Sequence, residues 1–181
     1  MSHLRPAKDQ CFLASIAFSC AVLGSGAHAQ QLLSPTDQKE LRNVAMEIRE
    51  AILNEDIAGI LRHLRQEHGL TCTDTTIPYK QVKSDLYNKN SHLYMSLFDS
   101  ARWHKQCGDH YPAEYPAVSE KEFLSKTIGE PIQITSVQDG WAKVTFRSRD
   151  KHLYPREWYF HKDGKVWKFA DGFILSRCSC G

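Results

Sequence analysis

Three Asp-Gly pairs, Asp139-Gly140, Asp163-Gly164 and Asp171-Gly172, restrict this fold more than any other feature of the chain. A two-residue hairpin turn needs backbone in the left-handed region, which glycine adopts freely and aspartate tolerates. The segments around these pairs alternate with the period of a strand. Ile132, Ile134 and Val137 precede the first pair, and Ala142, Val144 and Phe146 follow it, set against Lys143, Thr145 and Arg147. A wider turn near Asp150 leads to Glu157–His161, then come Val166–Phe169 and a last short strand from Phe173 to Leu175. Alternating runs joined by tight turns predict an antiparallel meander.

The preceding half reads as helices. Ser34 is a cap, Pro35 suits the first helical position, and Asp37 is the capping acid. Leu41, Val44, Ala45, Ile48, Ala51 and Ile52 then recur at the spacing of one helical face, with Lys39, Glu40, Arg42, Arg49 and Glu50 on the wet face. A second helix is expected from Asp56, with Ile57, Ile60, Leu61 and Leu64 inward and Gly69 as its stop. His63 and His68 stand five apart, off the three-or-four spacing of a helical ligand pair, and read as solvated.

Thr71, Thr73, Thr75 and Thr76 favour extended chain from Leu70 to Ile77. Tyr79 to Leu86 suits a short helix with Val82 and Leu86 inward. Leu93 to Phe98 fits a helix or a core strand equally. Asp99 to Val118 holds Gly108, Pro112 and Pro116 without sustained period and reads as a long loop. Ser119-Glu120-Lys121-Glu122 is a capping box for a short helix ending near Gly129, with Phe123 and Leu124 inward. The fold class is therefore α+β, N-terminal helices packed on a curved C-terminal antiparallel sheet.

Residues 1–29 carry the pattern of a secretory signal. Arg5 and Lys8 give a basic start, Cys11 to Gly24 is apolar or small, and Ala27-His28-Ala29 offers small residues for cleavage before Gln30. The expectation is a secreted or periplasmic protein whose mature part, residues 30–181, is one domain. Of the net charge of +2, removing Arg5, Lys8 and Asp9 leaves +1, which gives no electrostatic reason to expect nucleic acid. No later apolar run approaches the ~20 residues of a membrane helix.

Cys72, Cys107, Cys178 and Cys180 remain after cleavage, an even set in an oxidising compartment, and read as two disulfides. Cys178 and Cys180 are too close to pair without strain, so each is expected to reach Cys72 or Cys107, in either of two connectivities. The competing reading is a zinc or copper site built from His104, Cys107, Asp109 and His110 with Cys178 and Cys180. A redox role for Cys178-Ser179-Cys180 is a third. The expected set is disulfides, with no metal and no cofactor.

The break Ile52-Leu53-Asn54-Glu55-Asp56-Ile57 and the hairpin Trp158–Phe169, with Asp163-Gly164 at its turn, resemble the nuclear-transport-factor-2-like family. That resemblance implies a cone, a bent sheet wrapped around a long N-terminal helix. The family hosts isomerases, dehydratases and binding modules, so the likeness does not fix function. The chain has no Gly-x-Ser-x-Gly, His-Glu-x-x-His or phosphate-cradling glycine loop. The leading expectation is a domain that binds a small molecule or a protein partner without catalysis. The alternative is an isomerase- or hydrolase-type enzyme using His161 with Glu157 or Asp171, lining the cone. Alternation places Glu157, Tyr159 and His161 on one sheet face, read as wet, opposite Trp158 and Phe160. Trp141, Trp158 and Trp167 read as core, or as a ligand platform.

Overall fold

The computed structural model describes residues 33–72, 75–108, 116–138 and 140–173. Helices come first and a four-stranded antiparallel sheet closes the chain, the α+β layout expected. Helix α1 (Pro35–Leu53) starts as its sequence dictates: Ser34 accepts from the Asp37 backbone N–H at 3.0 Å, and Pro35 opens the first turn. Leu41, Ala45, Ile48 and Ile52 on one face have no exposed surface. Asn54 and Glu55 end α1, and Asp56 caps α2 (Ile57–His63) by accepting from Gly59 N–H at 2.9 Å.

Helix α2 is shorter than the sequence suggested. Its stripe does not run on to Gly69, because Leu64 leaves helical geometry and bridges Phe169 of the sheet. Gly69 instead shapes the following turn, at φ +70°. A Cβ there would sit 1.9 Å from the Ile77 carbonyl oxygen, so glycine is required by close approach. The expected single extended stretch is in fact a hairpin of β1 (Leu70–Cys72) and β2 (Thr75–Ile77), pairing Leu70 with Ile77.

Helices α3 (Tyr79–Tyr87) and α4 (His92–Phe98) bury Val82, Leu86, Leu93 and Leu97. The ambiguous Leu93–Phe98 run is thus helical. Ser91 decides it by capping Tyr94 N–H at 3.0 Å. The long loop expected from Asp99 to Val118 is corrected as well. Asp99 accepts from Arg102 N–H and starts α5 (Ser100–Cys107), which buries Trp103 and Cys107 one turn apart. Two apolar positions are too few to show a period in sequence. With Met95 and Ala117 they form a small second core. Helix α6 (Glu120–Ser125) buries Phe123 and Leu124 behind the Ser119 cap.

Strands β3 (Gln133–Gln138), β4 (Trp141–Phe146), β5 (Arg156–Asp163) and β6 (Val166–Asp171) pair in chain order. Gly140, Gly164 and Gly172 all take positive φ, as the turn reading required. Val137 is exposed, against the inward reading expected of it: an odd step from Ile132 and Ile134 puts it on the other face, and the register shift between Ser136 and Gln138 does not bring it back. Residues 174 and 175 of the expected last strand lie outside the described residues, and Phe173 is buried. The inner sheet face carries Val144, Phe146, Trp158, Phe160, Trp167 and Phe169 into the core formed with α1. Trp158 is its centre, with ring centroids 4.5 Å from Phe146 and 5.7 Å from Phe169.

Candidate functional site

The acid–base candidates fall on the outer face of the sheet, with Trp158 and Phe160 on the inner one as alternation required. His161 does not engage Glu157 or Asp171. Its Nδ1 lies 2.6 Å from Asp163 Oδ1, and its ring meets Trp141 edge-on at 4.9 Å. Arg65 completes the group with two bonds of 3.2 Å to Asp163. Glu157 accepts from Lys143 Nζ at 2.8 Å and from the Tyr159 hydroxyl at 3.1 Å. Those donors hold its carboxyl below the ordinary carboxylate range, Lys143 foremost. Asp171 is half-buried with the Gly172 N–H as its donor, and burial raises its pKa. These groups are already tied to neighbours on an open surface. Trp158 and Trp167 are core, and the partly exposed Trp141 is the tryptophan available to a ligand here.

A concave site sits between α1 and α2. It is a groove of about 400 Å³ lined by Met46, Glu47, Glu50, Ala51, Asn54, Asp56, Gly59, Arg62 and His63. Gly59 makes it possible: a Cβ there would lie 2.9 Å from the Ala51 Cβ and 2.5 Å from Asp56 Oδ2, so the helices could not close so tightly. His63 is a correction to the solvated reading, whereas His68 is exposed. The His63 side chain is only 15 % exposed, and its Nε2 meets Glu47 Oε2 at 3.1 Å across the helix pair. Burial pulls its pKa below the ordinary value, with Glu47 opposing. Arg62 reaches Asp56 at 3.8 Å, while the Glu50 carboxylate has no ion-pair partner among the described residues.

Arg49, read from sequence as wet, is 5 % exposed. Its Nε and Nη2 have no hydrogen-bond partner, and Nη1 ends 4.0 Å from the Met46 sulfur. It stands one turn after Ala45, next to the buried Ile48. Burial lowers its pKa, and Glu50 opposes the shift. A second cavity of about 520 Å³ lies between Leu53, Phe98 and α6, and its polar groups are committed. Ser100 and Ser119 bond each other at 2.9 Å, Lys121 binds Glu55 at 2.6 Å, and Asp99 binds Arg102.

Glu120 is the other group that sequence reasoning missed. It has no exposed surface, its Oε1 accepts from Trp158 Nε1 at 2.8 Å, and its Oε2 lies 3.5 Å from Arg156 Nε without a hydrogen bond. Arg156 in turn lies over the Phe123 ring at 4.8 Å. A capping box gives no warning that its second residue faces a sheet. Desolvation raises the Glu120 pKa, and Arg156 and Trp158 only partly offset it. The folded carboxyl therefore binds its proton more tightly than the unfolded one. The penalty is absent below the unfolded value near 4.5 and grows as pH rises above it. Denaturant titrations across that range should show this falling contribution in the native sequence and its loss in Glu120→Gln. A slope unchanged by the substitution would refute the assignment.

Cys107 is fully buried against Met95, Trp103 and Ala117, and its sulfur is not a free thiol. The side chain of Cys72, and Cys178 and Cys180, lie outside the described residues. So do Asp109 and His110 of the metal reading; His104 is exposed on α5, and no group of three His, Cys, Asp or Glu fit for a metal occurs among the described residues. No helix among them is long and apolar enough to cross a membrane. Comparison of the chain with protein-family models, with curated proteins and with solved structures finds no match.

Proposed function

We propose that the mature chain is an exported, disulfide-stabilised domain that binds a small molecule, without catalysis, in the groove between α1 and α2. The observation that carries this is the contrast between the two polar regions. On the sheet face, His161, Glu157 and their neighbours satisfy one another in the open, which leaves no convergent acid–base pair for the isomerase- or hydrolase-type alternative. In the groove, the Glu50 carboxylate has no ion-pair partner among the described residues, and the lining residue Met46 lies against the buried Arg49. A concavity of a few hundred Å³ with a few convergent polar groups is what a small ligand needs. The helices-then-sheet order supports the likeness to the nuclear-transport-factor-2-like family, in which binding modules occur.

A fragment screen followed by two-dimensional NMR tests the reading. Hits should shift resonances of Glu50, Asn54 and His63 and lose at least about tenfold in affinity in Met46→Trp, where an indole fills the groove. Hits that shift only Trp141 and Tyr159, or that ignore the substitution, would move the site to the sheet face.

A further inference from the structure

The four-stranded sheet has one open edge among the described residues, and that edge lacks the usual protection. Strand β6 is covered: Leu64 bridges Phe169 alongside it, and β1, α1 and α2 pack on it. Strand β3 pairs with β4 on one side only. An unpaired edge offers its backbone N–H and C=O groups to another strand, and monomers block this with charge, proline or a bulge. Here charge sits on the strands that are already paired or covered, as Lys143 on β4, Glu157 on β5 and Lys168 on β6. Strand β3 reads Gln133-Ile134-Thr135-Ser136-Val137-Gln138, with no charged residue and no proline. The register shift in its pairing with β4 lies at the Ser136–Gln138 end and leaves Gln133 to Ser136 regular. All six residues are exposed or half-buried, and Ile134 packs on the rim of the core while staying partly open. The order of the side chains says what such a strand can pair with. From either end it gives amide, branched aliphatic, hydroxyl, hydroxyl, branched aliphatic, amide. Two copies running antiparallel therefore meet the same chemistry from both sides, as a two-fold interface requires, and oppose no like charges.

We infer that β3 pairs antiparallel with β3 of a second copy of this chain about a two-fold axis, joining the two four-stranded sheets into one. Pairing satisfies the open backbone groups of both edges and covers the exposed side of Ile134. The assembly stops at two copies, because the covered β6 edge offers no second place for a strand to add. It is independent of the groove and of any ligand there.

Sedimentation equilibrium of the purified protein across micromolar concentrations, with hydrogen exchange of the β3 amides, tests it. The mass should rise from one copy to two and level there, and the β3 amides should gain protection as it does. Thr135→Glu should weaken the dimer at least about tenfold, since the two introduced carboxylates stand near each other across the axis. Within its own protomer that glutamate is opposite Lys143, so the sheet itself is not opposed and the melting temperature should change little. High salt should restore part of the pairing by screening the carboxylates. Thr135→Val, of the same shape and uncharged, should leave the dimer intact. Val137→Glu, at an already exposed position, serves should Thr135→Glu fail to fold. A protein that stays single at every concentration would overturn the inference, whether its own chain or another protein's strand covers the edge. A dimer indifferent to the glutamate variants would place the interface elsewhere and overturn it equally, and a mass climbing beyond two copies would overturn the two-fold closure.

Discussion

Trp158→Ala should lower the stability of the domain by about 3–5 kcal/mol, the range for emptying a large aromatic site in a core. Since domains of this size are stable by only ~5–15 kcal/mol, the variant should be partly unfolded at room temperature or melt far below the parent. Two losses combine. The indole is fully buried among Phe146, Phe169 and Phe173, so its removal opens a cavity. Its N–H is also the one hydrogen-bond donor to the buried carboxylate of Glu120 among the described residues. Trp158→Phe separates the losses, since it keeps most of the packing and removes only the donor. Urea unfolding checks this: Trp158→Ala should shift the midpoint strongly, and Trp158→Phe should fall between it and the parent. Equal midpoints for the two variants would show that the cavity contributes little.

Reduction of the protein should have an effect of similar size. We propose that Cys178 and Cys180 pair with Cys72 and Cys107. A buried Cys107 sulfur that is not free supports this. A bridge returning from the tail to Cys72 would close on the order of 100 residues, worth about 4–5 kcal/mol in the chain-entropy model. The protein under denaturant should therefore expose no reactive thiol before reduction. It should gain about four protons of mass on reduction and melt markedly lower. A metal site predicts the reverse, thiols released and stability lost with chelator alone. Four thiols labelled without reductant would end the disulfide proposal.

The parts of the fold that were legible in sequence are those whose cause is local. Ser34, Asp56 and Ser119 cap the helices they announce, and the glycines of the Asp-Gly pairs take the backbone those turns demand. Strand alternation placed Trp158 and Phe160 inward and Glu157, Tyr159 and His161 outward. The failures share a different cause. Arg49 sits among charges in sequence and is buried by what packs over α1, and Glu120 follows a capping serine and is buried by β5. His63 meets Glu47 only because Gly59 lets two helices close on each other. Helix α5 was hidden because two buried residues make no period. The candidate groove was thus largely illegible, since it exists only where α1 and α2 pack face to face, which no single-helix pattern announces.

The contacts that join the two halves have a consequence for the order of assembly. Lys162 meets Asp37 across 125 residues, Arg65 meets Asp163 across 98, and Leu64 bridges Phe169. The helical half precedes the sheet along the chain, and α1 packs on α2 and α6 as well as on β6, the last strand. Closing such long loops is entropically slow, and chains dominated by distant pairings fold slowly. A chain that stops short of β6 would lack the strand that α1 packs on and that Leu64 bridges. The core shared by α1 and the sheet is therefore complete only once Val166–Asp171 are present.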